Sequence, residues 1–377
     1  MKFVFATDSF KGSLTSEEAE SILASALRKV LPEASYISIP TADGGEGTAE
    51  AIRQAVGGKN VTCDVHDPLL RPIRASYVRL NENQAVIETA SASGLTLLAN
   101  HERDPLETSG YGTGELIRQA LKDGCRDIYV ALGGSATNDG GTGALRALGY
   151  RLLDIEGNEL EGRGRDLEKI TDIDESGREP LLTEASITLL SDVVNPLCGK
   201  NGATYTFGRQ KGGTEEKLNL LERGMISWRN LLKRKYRKDA DRIPGAGAAG
   251  GTGAGLSIVL DAKIRSGISV VLDLTGFDDQ ILDADYVITG EGRTDWQSSF
   301  GKVLQGIGDR CKKYQIPVIA ISGSTGEGYE EIYSHGITYL FTTSDPEHDL
   351  MWNMSHAKDL YYQTALSVFS MIRDRKK

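Results

Sequence analysis

Five glycine-rich segments constrain this chain more than any other feature of its sequence. They are "TDSFKGS" from Thr7, "TADGGEGT" from Thr41, "LGGSATNDGGTG" from Leu132, "PGAGAAGGTGAG" from Pro244 and "TGEGRTDWQSSFGK" from Thr289. They share a layout of an apolar run followed by small and polar residues, often with a helix pattern beyond. Glycine lets backbone N–H groups approach an anion closely, and a helix N-terminus favours negative charge. One such segment is an ordinary turn. Five, four of them carrying Asp, Ser, Asn, Glu or Lys, point to a phosphate-handling α/β protein. "PGAGAAGGTGAG" has few polar side chains, which suits backbone contact or tight packing.

The patterning around these segments sets the domain organisation. "KFVFAT" reads as a buried parallel strand. Thr15 and Glu18 form a capping-box pair, and Ala19, Ile22, Leu23, Ala26, Leu27 and Val30 follow at helical spacing. A strand "SYISIP" and a helix "AEAIRQAV" come next. The texture then changes: "VTCDVHDPLLRPIRASYVRLNENQAVIETA" holds three β-rich runs separated by Asp-Pro, Arg-Pro and Asn-Glu-Asn, which are antiparallel signals. A long amphipathic helix is expected over 214–236. From Ala284 the alternation of strand and helix returns, with "YEEIYSHG" read as one of its helices. The expectation is an α/β protein of two domains: a discontinuous doubly wound domain, 1–60 plus 284–377, and a mixed α/β domain inserted at 61–283.

Several function classes are disfavoured. The net charge of -10 argues against nucleic-acid binding, and the basic run "LLKRKYRKDADR" reads as a solvated helix end. The first apolar run is too short for a signal peptide or a membrane span. The four cysteines are far apart, as free thiols in a cytoplasmic protein are, and the five histidines form no zinc pattern. Walker A is absent: the three Gly-Lys pairs, at Gly58, Gly199 and Gly301, are followed by Asn, Asn and Val. The protein-kinase signatures are absent. A GxGxxG would have to stand where "DSFKGS" does.

The charged residues of the segments suit phosphoryl transfer, which needs cations on phosphates, carboxylates for Mg²⁺ and a group to orient or deprotonate the accepting hydroxyl. Lys11, Arg293 and Lys302 are the candidate cations. Asp43, Glu46, Asp139, Asp192, Glu291 and Asp295 are the candidate carboxylates. Any one of them alone could be a loop charge or a cap; the case rests on their collection at strand ends.

Taken together, "DSFKGSLTS", "ADGGEGT", "LGGSATNDGG", "SDVVNPLCGKNGA", "PGAGAAGGTGAG" and "TGEGRTDWQS" resemble the type I glycerate kinases of bacteria, in order along nearly the whole chain. One departure is Ser191 before Asp192, where the family often has Cys-Asp. The resemblance implies ATP- and Mg²⁺-dependent phosphorylation of D-glycerate, usually to 2-phosphoglycerate. It also implies that the discontinuous domain is flavodoxin-like. A small carboxylate substrate suits bidentate pairing with Arg293.

On this reading Lys11, Asp192 and Arg293 are catalytic, with Asp192 a Mg²⁺ ligand or a base, the two roles staying open. Ser9, Ser13, Asp43, Glu46, Glu291 and Asp295 fall on the substrate side. Gly133, Gly134, Ser135, Asn138, Asp139 and Lys302 fall on the nucleotide side. Lys11 is expected close to Arg293 and Asp192. Cys198 reads as a small buried thiol, since no His adjoins it. A monomer or homodimer is expected, with neither nucleic acid nor membrane as partner. The alternatives are a kinase of the same fold for another small hydroxy acid and a non-catalytic sugar-acid binder.

Overall fold

The alternation in "KFVFAT" sends Phe3 and Phe5 to one face of a sheet and Val4 and Ala6 to the other, and all four are fully buried. A strand covered on both faces belongs inside a parallel α/β layer. The computed structural model, which describes residues 1–42, 44–299 and 301–375, shows how this is done. Two sheets carry eleven strands: β1 (Lys2–Thr7), β2 (Ser35–Ser38), β3 (Lys59–His66), β4 (Pro72–Arg79), β5 (Gln84–Glu88), β6 (Asp127–Ala131), β7 (Ser186–Leu190), β8 (Lys263–Arg265), β9 (Tyr286–Gly290), β10 (Val318–Ser322) and β11 (Ile337–Thr342).

The chain divides into two compact units, residues 1–43, 54–56 and 266–377, and residues 44–53 and 57–265. The first unit holds a five-stranded sheet in the order β11-β10-β9-β1-β2, parallel throughout. On one face Phe3, Phe5, Ile288 and Ile319 pack with Leu23 and Leu27 of helix Ser16–Val30 and with Val368 and Phe369 of helix Ala357–Arg375. On the other, Val4, Val287 and Val318 pack with Leu272 of helix Gly267–Leu274 and Leu304 and Ile307 of helix Val303–Lys313. Each such side chain contributes about 1.5–3 kcal/mol on burial. Helices Gly267–Leu274 and Phe277–Ile281 thus belong to the first unit, although they precede residue 284, where the strand pattern resumes.

The second unit is built on a six-stranded sheet, β8-β7-β6-β5-β4-β3. Strands β5 to β8 are parallel, and β3, β4 and β5 are paired antiparallel, as the turns in that stretch predict. Its core includes Tyr77, Ile87, Leu116, Leu145 and Trp228. The long helix is Glu215–Tyr236, with Thr214 Oγ1 accepting from Lys217 N–H and Arg237 closing it in the left-handed conformation. Lys233, Arg234 and Lys235 occupy its last turn, where cations complement the helix dipole.

Two segments differ from the expectation. Tyr329–His335 is a 3-10 helix bounded by left-handed Gly328 and Gly336 rather than an α-helix. The run "PGAGAAGGTGAG" leads into Ala248–Val259, whose first turn is broken by left-handed Ala249, Gly250 and Gly251. The reason is contact: a Cβ on Gly250 would lie 2.0 Å from Thr137 O, and Gly140 N–H donates to Gly250 O at 2.9 Å. This glycine run packs backbone to backbone on the 137–141 loop. Among the described residues no helix is long and apolar enough to cross a membrane.

Candidate active site

The first unit gathers its polar residues at the carboxyl ends of its parallel strands, where ligands of open α/β sheets bind. A cavity of about 420 Å³ lies there. Seven residues singled out from the sequence line it: Ser9, Lys11 and Ser13 after β1, and Glu291, Arg293, Asp295 and Lys302 after β9. Gly323 and Ser324 after β10 and Thr343 and Ser344 after β11 complete the polar wall.

The loop after β1 explains how Lys11 is presented. Asp8 N–H donates to Gly290 O at 2.9 Å, and Ser9 N–H donates to the Asp8 carboxylate at 2.7 Å. Phe10 and Leu14 then close a tight turn, Phe10 N–H to Leu14 O at 2.8 Å and Leu14 N–H to Phe10 O at 3.1 Å. Ser13 Oγ donates to Phe10 O at 3.0 Å. Phe10 is buried edge-on against Tyr361, and Leu14 is buried beside it. Anchored at both ends, the turn leaves Lys11 exposed at its tip, next to left-handed Gly12. Lys11 has no ion-pair partner among the described residues. The helix beyond starts by its own means: Thr15 Oγ1 accepts from Glu18 N–H at 3.1 Å, and the Glu18 carboxylate accepts from Thr15 N–H at 3.0 Å.

Glu291 stands at the end of β9, only 6% exposed. Its Oε1 accepts from Ser298 Oγ at 2.5 Å and from Thr294 Oγ1 at 3.1 Å, and Thr294 Oγ1 in turn meets Ser322 Oγ at 2.7 Å. Burial pushes the Glu291 carboxyl up; the Ser298 hydroxyl and the charge of Lys302 oppose it. Arg293 is open, its side chain 65% exposed, with Nε 3.7 Å from Asp295 Oδ2. Its guanidinium therefore keeps donors for a ligand. Lys302, placed on the nucleotide side from the sequence, stands in the same cavity as the substrate-side residues.

The second unit organises its glycine loop differently. Gly133 follows β6, and a Cβ there would come 2.5 Å from Gly45 Cα, so two glycine segments of the sequence meet at that point. Asp139 is fully buried. Its carboxylate accepts from Gly110 N–H at 2.7 Å, Gly141 N–H at 3.0 Å and Gly143 N–H at 3.2 Å. Burial pushes its pKa up and these backbone donors oppose that. Its oxygens are committed to the shape of the loop. Asn138, also fully buried, donates from Nδ2 to Thr204 Oγ1 at 3.2 Å. Gly134 is exposed, and Ser135 beside it is 7% exposed. Ser135 Oγ accepts from the ammonium group of Lys211 at 3.0 Å.

The other acids fall in different places. Glu46 is exposed within the second unit. Asp43 lies outside the described residues. Asp192 follows β7, partly exposed, and belongs to the second unit, whereas Lys11 and Arg293 share the cavity of the first. Cys198 is buried, and burial pushes its thiol up to about 12, the opposite of the lowered value a thiolate nucleophile needs. Among the described residues no three His, Cys, Asp or Glu side chains form a metal cluster.

Two residues escape a reading of the sequence. Glu88, at the end of β5, accepts from Ala49 N–H at 2.8 Å and so caps the helix after "TADGGEGT". The signal available was an acid closing an apolar strand. Lys211 lies in "TFGRQKGG", which gives no sign of burial.

The glycerate kinase family matches residues 3–373. Glycerate kinase of Halalkalibacterium halodurans is 43% identical over 340 residues, 90% of each chain. Glycerate 2-kinase of Escherichia coli K12 is 43% identical over 343 residues, 91% of this chain and 90% of its own. A crystal structure from Salmonella typhimurium LT2, assigned as glycerate kinase 2, superposes with a TM-score of 0.87 at 40% identity, covering 100% of this chain and 99% of that one. The motifs after the strands and the match over the whole fold agree: this chain belongs to the glycerate kinase family.

Proposed function

We propose that this protein is a glycerate kinase of type I that transfers the γ-phosphoryl group of ATP to a hydroxyl of D-glycerate, with Mg²⁺, giving 2-phosphoglycerate. The observation that carries this reading is the gathering of Lys11, Arg293, Lys302, Glu291 and Asp295 with Ser9 and Ser13 in one cavity at the ends of parallel strands. The names of the relatives, glycerate kinase and glycerate 2-kinase, support the same reaction.

The residues present fit the nucleotide and the metal. Lys11, with no ion-pair partner among the described residues, and Lys302 supply cations for phosphate oxygens, and Gly133 and Gly134 offer a loop that a phosphate can approach. Mg²⁺ in such reactions is held by one or two carboxylates and the phosphates themselves, so a full protein cage is not required. Bound, ATP supplies the phosphoryl group and Mg²⁺ offsets the charge on its oxygens.

The chain's own residues do the rest. Arg293 pairs with the glycerate carboxylate, and Ser9, Ser13, Asp43, Glu46, Glu291 and Asp295 orient its hydroxyls. Lys11 holds the oxygens of the group in transit. The acceptor oxygen gains the bond to phosphorus as the bond to the ADP oxygen breaks, and the hydroxyl proton leaves to a carboxylate. We assign Asp192 to metal holding or to that proton; Asp192→Asn separates the two by a raised Mg²⁺ requirement or a lowered kcat alone. Ser135 and Asn138 serve the nucleotide, and Asp139 serves it by shaping the loop.

The first unit is read as a flavodoxin-like domain with the second inserted; counted within the unit, its strand order is 2-1-3-4-5. We place the protein in the cytoplasm as a monomer or homodimer. The deciding experiment is ³¹P NMR of the products from D-glycerate, ATP and Mg²⁺. A monoester resonance split by one proton indicates 2-phosphoglycerate, and a resonance split by two indicates the 3-phosphate. No monoester at all overturns the kinase reading.

A further inference from the structure

Lys211 is only 3% exposed, yet among the described residues no carboxylate pairs with it. It ends the 3-10 helix Arg209–Lys211, and its ammonium group reaches under the 133–139 loop. There it donates to Ser135 Oγ at 3.0 Å and to Thr137 O at 2.7 Å. An ammonium has three donors, and two are used. Two neighbouring acceptors, Thr137 Oγ1 and Asn138 Oδ1, are also fully buried, without a hydrogen-bond partner among the described residues. A buried cation without a contact counter-ion is costly and persists where it has an anion to meet.

The direction of the hydrogen bond decides what Lys211 can do. Because Nζ donates into a lone pair of Ser135 Oγ, the hydroxyl proton of Ser135 is turned away from Lys211. The positive charge behind the oxygen makes that hydroxyl a stronger donor. We propose that Lys211 is a positioning residue that aims the Ser135 hydroxyl as a hydrogen-bond donor at a phosphoryl oxygen of the nucleotide. The inference rests on the reading of the 133–139 loop as the nucleotide side. Burial pulls the Lys211 ammonium down to about 8, and the charged group acting on it is Asp139, which pulls the other way. Loss of the ammonium proton therefore falls within an accessible pH range.

The test is calorimetric binding of ADP with Mg²⁺ to the full chain, for the wild type, Ser135→Ala, Lys211→Met and the double variant. Each single variant is expected to raise Kd about tenfold, the worth of one charge-assisted hydrogen bond. The double variant should be no worse than either single, because Lys211 acts through Ser135. In the wild type Kd should rise as pH increases above about 8, and in Ser135→Ala that rise should vanish. A purely structural lysine would not make the pH dependence hinge on Ser135.

Losses that multiply in the double variant overturn the inference. So does wild-type affinity in Lys211→Met when Ser135→Ala is weakened. If Lys211→Met does not fold, the pH profile of Ser135→Ala decides: a rise as in the wild type overturns the proposal. Unchanged ADP affinity in Ser135→Ala overturns the nucleotide reading of the loop as well.

Discussion

The cavity of the first unit and the glycine loop of the second use charge in opposite ways. In the cavity, Lys11 and Arg293 are exposed, one without an ion-pair partner among the described residues and the other only loosely held at 3.7 Å from Asp295. In the loop, Asp139 and Lys211 are buried, and their hydrogen bonds go to backbone N–H groups, a backbone carbonyl and a serine. An exposed charge keeps its free energy for a ligand. A buried one spends it on the shape of the chain around it. Lys11 and Arg293 on one side and Asp139 and Lys211 on the other thus divide into contact and support by burial, which predicts that the effects of Lys11 and Arg293 on activity separate from the effect of Asp139 on stability.

The largest effects should fall on activity in the cavity. Lys11→Ala and Arg293→Ala are each expected to lower kcat/KM for glycerate by about 10²–10³, the usual worth of one group aimed at developing or substrate charge. Neither removes a buried contact, so the urea midpoint should stay at the wild-type value. A wild-type kcat/KM in either variant breaks the comparison on the cavity side. Asp139→Ala is the counterpart. It strands three backbone N–H groups and should destabilise the fold by about 3 kcal/mol in urea titration. An Asp139→Ala protein as stable as the wild type breaks the comparison on the loop side.

This division also marks what the sequence could tell. Seven cavity residues were legible because a strand that ends in polar and glycine residues must point them at its carboxyl edge, wherever the strand lies in the sheet. The three antiparallel strands were legible from their Asp-Pro and Asn-rich turns. Burial is a property of packing, and it changed the meaning of several residues. Asp139, expected on the nucleotide side, commits its oxygens to backbone N–H groups. Lys211 looked like nothing, since a lysine between Gln and Gly reads as solvent-facing until the chain folds over it. The glycines of "PGAGAAGGTGAG" were legible as packing glycines, but their partner, the 137–141 loop, was visible only in three dimensions.

Glu20 sharpens the comparison, because it is a buried acid within the first unit. It is 5% exposed on helix Ser16–Val30, and burial pushes its carboxyl up to about 8. Thr7 N–H at 3.5 Å offsets little of this. A carboxyl whose folded pKa lies above its unfolded value holds its proton more tightly when folded. Stability should therefore fall as pH rises from about 4.5 to about 8. Glu20→Gln keeps the shape and removes the charge. It should stabilise the protein at pH 8 by about 2 kcal/mol, after discounting for relaxation around the site, and do little at pH 5. Equal effects at both pH values in thermal unfolding would show that Glu20 is not protonated in the fold.

The smallest predicted effect divides a single stretch of chain, "DSFKGSLTSEEAE". Lys11 lies at the tip of the turn closed by Phe10 and Leu14, and Thr15 lies after it. Thr15 Oγ1 satisfies the N–H of Glu18, and the Glu18 carboxylate answers to Thr15 N–H, so the pair starts the helix without reference to any ligand. Thr15→Ala should cost about 1 kcal/mol, read as a lower urea midpoint. It should leave kcat and KM for glycerate unchanged, because the turn at Phe10 and Leu14 is anchored by burial and by its own backbone bonds rather than by the cap. Lys11→Ala should do the reverse. If Thr15→Ala lowers kcat/KM more than about threefold, the cap is part of how Lys11 is held, and the boundary between contact and support moves from Leu14 into the helix.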